Sequence, residues 1–461
     1  MTKPINMILR STAMLVIILL AITSNRDLAY AQNVAATGAE VQLLGQPTTE
    51  YRVRRQKLME KITDGIVVIF GQEEDSELGV DAKFRQYDNF MYLTGIEVPG
   101  SMLILVPKGY KGAKEWLFIP PRNPSNERWT GPQPEPSPKT ATAWGIDQVI
   151  STQAFASTIE EILKNEALTS TTIYTVVPPA HHSALFREQE FVNQMPKSFP
   201  NIKIAPIATV IAELRMVKSE PEIALMKRAI DITAMAQTDV ANSIKPNMFE
   251  YELEGTILGN FYRGGAQRAA FPCIVGSGIN STILHYENNH KKIDDGDLVV
   301  VDIGAEYNYY AADITRTYPA NGHFTNRQRD IYKLVLEAQT AAATGFKPGK
   351  STMFDLYGIA IKTMRESSLR DSQGQTLERY FIHGLGHFVG MYVHDVGDYS
   401  RPLPNGAIIT IEPGIYLPDE KLGVCIEDEY LVTSTGLIKL SKNIPNEPDE
   451  IEKLLGNQKS K

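Results

Sequence analysis

Leu298-Val299-Val300-Val301-Asp302 is an apolar run that ends on a carboxylate, and Ala312-Asp313-Ile314-Thr315 follows with a second one. A buried strand does not ordinarily hold an ionised Asp. Paired antiparallel, these two strands would place Asp302 and Asp313 close together. The pattern then recurs. Ile408-Ile409-Thr410-Ile411-Glu412 ends on an acid, and the segment 423–429, read as the next strand, carries Glu427. Helix-period segments lie between, near 327–343 and 353–367. Two strand-loop-strand units with one acid per strand predict a pseudo-symmetric α/β (α+β) domain in which the acids converge. Four carboxylates meeting in a low dielectric repel one another strongly. A pair of divalent cations removes that repulsion.

Histidines supply the rest of the pattern. Of the eight in the chain, four fall in two short motifs. His285 lies in Ile283-Leu284-His285-Tyr286. His383, His387 and His394 lie in His383-Gly384-Leu385-Gly386-His387-Phe388-Val389-Gly390-Met391-Tyr392-Val393-His394-Asp395. Glycines there let backbone approach closely. A lone strand Asp is usually a turn residue and a lone His a hydrogen-bonded structural group, but their combination in this order points to a site. Mostly oxygen with one nitrogen and no sulfur suits a hard or borderline ion. Manganese fits best, with cobalt or zinc as alternatives.

Upstream, Ser219 with Glu222 forms a capping box that starts a helix bearing Ile223, Met226 and Ile230 on one face. A second helix over 249–262 carries Leu253, Ile257 and Phe261 and ends at Gly264-Gly265. The stretch 211–221 reads as a boundary. Before it lies another α/β region: a helix over 52–62, buried strands at 66–70, 102–106 and 116–119, and a Pro-rich loop at 132–138. His181-His182 have no carboxylates around them and read as loop surface. The predicted divisions are a signal segment 1–31, a flexible lead-in 32–49, an N-terminal domain 50–210, a catalytic domain 211–455 and a tail 456–461.

The signal segment has Lys3 and Arg10 before the apolar run 12–22 and ends in Ala29-Tyr30-Ala31. That run is too short for an ordinary membrane span. The expectation is cleavage near Gln32, no stable membrane anchor afterwards, and export to the periplasm or the outside. The formal net charge of -8 argues against a nucleic-acid footprint. Two cysteines, Cys273 and Cys425, exclude a disulfide framework. One bridge between them is conceivable; two separate buried thiols are the favoured reading.

The series His285, Asp302, Asp313, His387, Glu412 and Glu427 resembles that of the pita-bread metallopeptidases, and within them the aminopeptidase P (Xaa-Pro aminopeptidase) family. Supporting stretches are Ile274-Val275-Gly276-Ser277-Gly278, Asp313-Ile314-Thr315-Arg316-Thr317-Tyr318-Pro319, His394-Asp395-Val396-Gly397 and Ile411-Glu412-Pro413-Gly414-Ile415-Tyr416. A weaker match surrounds Phe84-Arg85-Gln86 and Tyr92-Leu93-Thr94-Gly95. The resemblance implies an N-terminal creatinase/aminopeptidase-P-like domain and a C-terminal pita-bread domain with pseudo-two-fold symmetry. It implies that Asp302 chelates one metal, that Asp313 and Glu427 bridge both, and that His387 and Glu412 hold the other. His285 and His394 would face the substrate, His383 would line the proline pocket, and Trp129 would close the site from the N-terminal domain or a neighbouring subunit. Family members carry Arg where this chain has Cys425, which puts support of Asp302 in question.

The implied reaction is hydrolysis of the Xaa-Pro bond at a peptide N-terminus. A water bridging two cations becomes hydroxide near neutral pH and attacks the carbonyl of residue one. Glu412 would carry the proton to the leaving imide nitrogen. The implied partners are peptides with proline at position two and further copies of the chain, as a dimer or tetramer. The rivals are a prolidase restricted to Xaa-Pro dipeptides and a peptide-binding homologue that has lost catalysis.

Overall fold

The computed structural model describes residues 41–62, 64–74, 83–165, 172–178 and 186–456. The predicted signal segment, the lead-in up to residue 40, His181-His182 and the tail beyond 456 lie outside the described residues.

The N-terminal region is built on a six-stranded sheet. Its strands are β1 (Gly65–Phe70), β2 (Met102–Tyr110), β3 (Ala113–Ile119), β4 (Gln148–Ser151), β5 (Thr172–Thr175) and β6 (Lys203–Pro206), in the order β4-β3-β2-β1-β5-β6. β1 is buried throughout because both faces are covered. Val67 and Ile69 join one hydrophobic cluster, and Ile66, Val68 and Phe70 join the other. Helix α1 (Thr48–Lys61) and helix α2 (Asp88–Thr94) contribute Leu58, Phe90 and Leu93 to the first cluster.

Helix α3 (Ala208–Met216) runs across the position where the sequence suggested a boundary, and its Ile211 packs into that same cluster. Helix α4 (Glu220–Ser243) follows, with Glu222 accepting the Ser219 N–H at 2.9 Å in the predicted capping box. Helix α5 (Glu250–Gly264) ends on Gly265 in the left-handed region (φ 92°).

The C-terminal region carries two sets of short antiparallel strands that echo each other. In the first, β7 (Ile274–Ser277), β8 (Leu298–Ile303) and β9 (Ile314–Pro319) pair in that order, with Asp302 opposite Thr315. The second follows α6 (Asn326–Thr344) and α7 (Met353–Glu366). Here β10 (Ile408–Ile411) pairs with the strand Asp428–Thr433, and β11 (Gly414–Leu417) with β12 (Leu422–Cys425). The single strand predicted over 423–429 is therefore two. The chain leaves β12 at Cys425, and after a break at Ile426-Glu427 it starts β13 at Asp428 in another sheet. Glu427 sits in the break, where its N–H donates to Thr315 O at 3.1 Å.

The echo extends to the helices. Gln237 of α4, in Ala236-Gln237-Thr238, donates to the carbonyls of Val301 and Ile314 at 3.1 and 2.9 Å. Gln339 of α6, in Ala338-Gln339-Thr340, donates to the carbonyls of Ile411 and Ile426 at 2.9 and 3.1 Å. Each buried amide thus ties a helix to backbone next to two of the four acids.

Candidate metal centre

The two halves deliver their acids to one point. His387 Nε2 lies 3.3 Å from Asp313 Oδ2 and 3.4 Å from Glu412 Oε1. Asp313, His387 and Glu427 offer donor atoms within 4.8 Å of one another. The ring Nδ1 of His387 lies 3.2 Å from Phe388 O. A proton placed there leaves Nε2 as the lone-pair nitrogen facing the carboxylates, the orientation of a metal ligand. Close approach makes this possible: a Cβ on Gly386 would stand 2.2 Å from Thr410 O on β10.

Hydroxyls hold the acids in place. Thr315 Oγ1 donates to Glu427 Oε2 at 2.7 Å, and Thr410 Oγ1 donates to Glu412 Oε1 at 3.1 Å. Thr410 Oγ1 also accepts the His387 N–H at 3.0 Å, and Glu429 Oε1 accepts the Asp313 N–H at 2.7 Å. Sequence reasoning missed the roles of Thr315, Thr410 and Glu429. The signal was present, because each lies two residues from an acid of the site and so faces the same way on an extended chain.

Electrostatics ask for cations. Burial pushes the Asp302, Asp313 and Glu427 carboxyls up, the last two strongly, and neighbouring carboxylates add to the effect on Asp313 and Glu427. Glu412 is pushed up to about 7, mainly by burial. Asp302 Oδ1, Asp313 Oδ1 and Glu427 Oε1 are buried without a hydrogen-bond partner. Such orphaned oxygens are costly unless something else satisfies them. The nearby cations are committed elsewhere, Lys218 to Asp395 and Arg316 to Asp428. Carboxylate oxygens with one imidazole nitrogen, unprotected by any base, fit divalent metal ions.

Three more histidines surround this cluster. His383 Nδ1 lies 2.8 Å from Gly384 O, and its Nε2 lies 2.9 Å from the Tyr416 hydroxyl. The ring meets Phe381 edge-on, and burial lowers its pKa to about 4, so it is neutral at pH 7. The exposed His394 ring stands edge-on to His387 at 4.4 Å. His285, His383 and His394 line a cavity of ≈ 220 Å³ with Asp302, Glu412 and Tyr416. A neighbouring cavity of ≈ 180 Å³ reaches Asp313 and Glu427 and shares His285, His387 and His394.

Trp129 is not brought to this site within the chain: it is 90% exposed on the short helix Glu127–Thr130 and lines neither cavity. The two cysteines are separate, buried free thiols. Cys425 packs with Val300 and Tyr416 beside the first cavity.

A buried carboxylate–imidazole cluster where two similar halves meet marks a metal-dependent hydrolase. Residues 224–434 match the model of metallopeptidase family M24, and residues 51–174 match that of the aminopeptidase P N-terminal domain. The chain is 35% identical to the Xaa-Pro aminopeptidase of Haemophilus influenzae, covering 89% of this chain and 97% of the relative. Among solved structures it is similar to the aminopeptidase PepP of Pseudomonas aeruginosa (TM-score 0.81, 30% identity, 90% and 99% covered). It is likewise similar to Escherichia coli aminopeptidase P with the inhibitor Pro-Leu (TM-score 0.80, 32% identity, 90% and 99% covered). The chain belongs to the aminopeptidase P branch of the M24 metallopeptidases and is a metallo-exopeptidase.

Proposed function

We propose that this chain removes the first residue from peptides with proline at position two, using two divalent cations, manganese by preference. The observation that carries this is the set of orphaned buried oxygens on Asp302, Asp313 and Glu427, facing His387 and Glu412. Asp302 would hold one cation, Asp313 and Glu427 both, and His387 with Glu412 the other. When bound, such a pair lowers the pKa of water and polarises the scissile carbonyl.

The chain's own groups do the rest. Glu412, on the wall of both cavities with Oε1 held by Thr410, takes a proton from the attacking water and delivers it to the imide nitrogen. His394 and His285 steady the oxyanion and the scissile amide. His383, neutral and backed by Phe381 and Tyr416, offers a ring-shaped wall to proline. Proline makes the bond a tertiary amide without an N–H, so recognition falls to this wall.

The test is purified chain with manganese on an Xaa-Pro-Xaa tripeptide and the matching Xaa-Pro dipeptide. Release of residue one from the tripeptide alone is expected. Cleavage of the dipeptide alone would make the chain a prolidase, and no cleavage under saturating manganese would make it a binding homologue. We also propose export to the periplasm or beyond, tested by cell fractionation. A dimer or tetramer, tested by light scattering, would let Trp129 of one copy approach the site of another.

A further inference from the structure

We infer that the N-terminal domain together with helix α3, which supply no residue to either cavity wall, sets the position of His394 through Arg85, Asp88 and Arg215. The inference rests on the reading of His394 as a substrate-facing group.

Between His387 and His394 the chain has no helix or strand, only an isolated bridge from Phe388 to Ile409. Its shape therefore depends on what it leans against. Val389, Met391 and Val393 alternate inward, buried in the cluster that holds Phe90 and Leu93 of α2 and Ile211 of α3. Tyr392 and His394 alternate outward. Helices α2 and α3 thus form part of the floor under the histidine loop, together with Tyr310, Ala311 and Ile408 of the C-terminal region, where the Ala311 N–H donates to Gly390 O at 2.8 Å and the Val389 N–H to Ile408 O at 3.0 Å.

Polar contacts then fix the loop along that floor. Arg85 donates through Nη2 to Met391 O at 2.8 Å and through Nη1 to Asp88 Oδ1 at 2.6 Å. Arg215 Nη2 reaches Asp395 Oδ1 at 2.5 Å, while its Nη1 donates to Asn89 Oδ1 at 2.8 Å. Asp88 Oδ2 lies 3.5 Å from that same Arg215 Nη2. One carboxylate on α2 therefore stands between two arginines, each of which also has a contact on the loop. Lys218 adds a contact to Asp395 Oδ2 at 3.4 Å, and the Asp395 N–H closes the loop on Phe388 O at 2.8 Å. Gly390 is what lets this carboxylate lie under the loop, because a Cβ there would stand 2.0 Å from Asp395 Oδ2. Asp395 is the residue after His394, so its anchoring aims that ring.

Arg85, Asp88 and Arg215 line neither cavity, and because Arg85 also donates through Nε to Glu306 Oε2 at 3.2 Å, hydrogen exchange over the loop is the readout that shows whether an effect on turnover passes through it. They are positioning residues. A misplacement on the order of 1 Å at a reacting group can cost about 100-fold in rate.

The test uses the full chain loaded with manganese and compares wild type, Arg85→Ala, Arg85→Lys and Asp88→Asn. Arg85 and Asp88 are partly exposed, and all three substitutions spare the core. The readouts are kcat and KM on an Xaa-Pro-Xaa tripeptide, metal content, and amide hydrogen exchange over 388–395. Expected are a fall in kcat of about 10- to 100-fold with KM within about 3-fold, unchanged metal content, faster exchange confined to that segment, and partial rescue in Arg85→Lys. Unchanged exchange, or activity lost only in step with metal, would overturn the inference. If wild type fails to cleave the tripeptide while exchange still rises in the variants, the clamp stands and the proposed reaction falls.

Discussion

Glu427 and Asp428 are neighbours in sequence, both buried acids, and their surroundings are opposite. Glu427 turns toward the other site acids. One of its oxygens takes the Thr315 hydroxyl, the other has no partner, and its carboxyl is pushed well up by burial and by Asp313, Glu412 and Asp302. Asp428 turns to the opposite side and meets Arg316, Lys439, Ser441 and Gln339, at 2.7, 2.7, 2.6 and 3.1 Å. The arginine and lysine hold its carboxyl below the usual range despite burial. Arg316 spends all its nitrogens here, donating also to carbonyls of Pro445, Thr315, Glu427 and Ile444. One acid is complete within the protein. The other is complete only with something added, and that difference separates a structural carboxylate from the metal ligand proposed at Glu427.

The sharpest way to break this comparison is to neutralise each acid in turn. Glu427→Gln should lower manganese-dependent hydrolysis by about 1000-fold, since bound metal supplies several kcal/mol of charge stabilisation. Metal-free Glu427→Gln should nevertheless unfold at a higher temperature than metal-free wild type, because wild type must on folding either take up a proton at Glu427 or bury its charge against the repulsion of Asp313, Glu412 and Asp302. Calorimetry beside a peptidase assay reads both, and a variant less stable without metal would refute the repulsion. Asp428→Asn should do the reverse. It leaves Arg316 and Lys439 without their counter-charge and should cost about 3–5 kcal/mol of stability, read as a lower urea midpoint.

The same contrast has a pH signature. Glu412 and Glu429 have pKa values pushed up to about 7 and about 8 from an ordinary 4.5, chiefly by burial. A carboxyl raised on folding stabilises the fold while protonated, so metal-free protein should lose stability as pH rises from about 4.5 to 8. The loss should be on the order of 3 kcal/mol from Glu412 and about 5 kcal/mol from Glu429. Asp428 is depressed, so its contribution is present above its unfolded value and disappears as pH falls below about 4. Saturating manganese, bound to the folded state as proposed above, should flatten the loss at neutral pH. A thermal midpoint that rises with pH in the metal-free protein would contradict the environment assigned to Glu412.

Sequence showed the acids because a carboxylate at the end of an apolar run is anomalous, as at Asp302 and Glu412. It did not show which neighbouring acids belong together, since Glu427, Asp428 and Glu429 read as one strand. Whether an acid there faces cations or other acids depends on a chain break at Ile426-Glu427 that moves the chain between sheets, and on Arg316 from another strand. The paired glutamines Gln237 and Gln339 were likewise visible as letters, but their shared role needs helix-to-strand contacts far apart in sequence. The fold of the first region was legible from buried runs such as Ile66 to Phe70. Its contact with the histidine loop was not, because Val389, Met391 and Val393 could have packed against either half.

Cys425 gives the smallest expected effect and the finest test of the comparison. If Asp302 depended on support from this position as Asp428 depends on Arg316, changing it would weaken metal binding. The surroundings argue otherwise. The thiol packs with Val300 and Tyr416 and lies 3.7 Å from Glu412 O, the backbone of a different acid. Cys425→Ala removes one buried sulfur and should cost about 1 kcal/mol of stability, in the range of a small core truncation. Manganese affinity should stay within about 3-fold, below the 10- to 100-fold that loss of a ligand's outer partner brings. Metal titration followed by calorimetry decides it: a 10-fold weaker site would make Cys425 a true partner of Asp302, and would move that acid from the incomplete class toward the complete one.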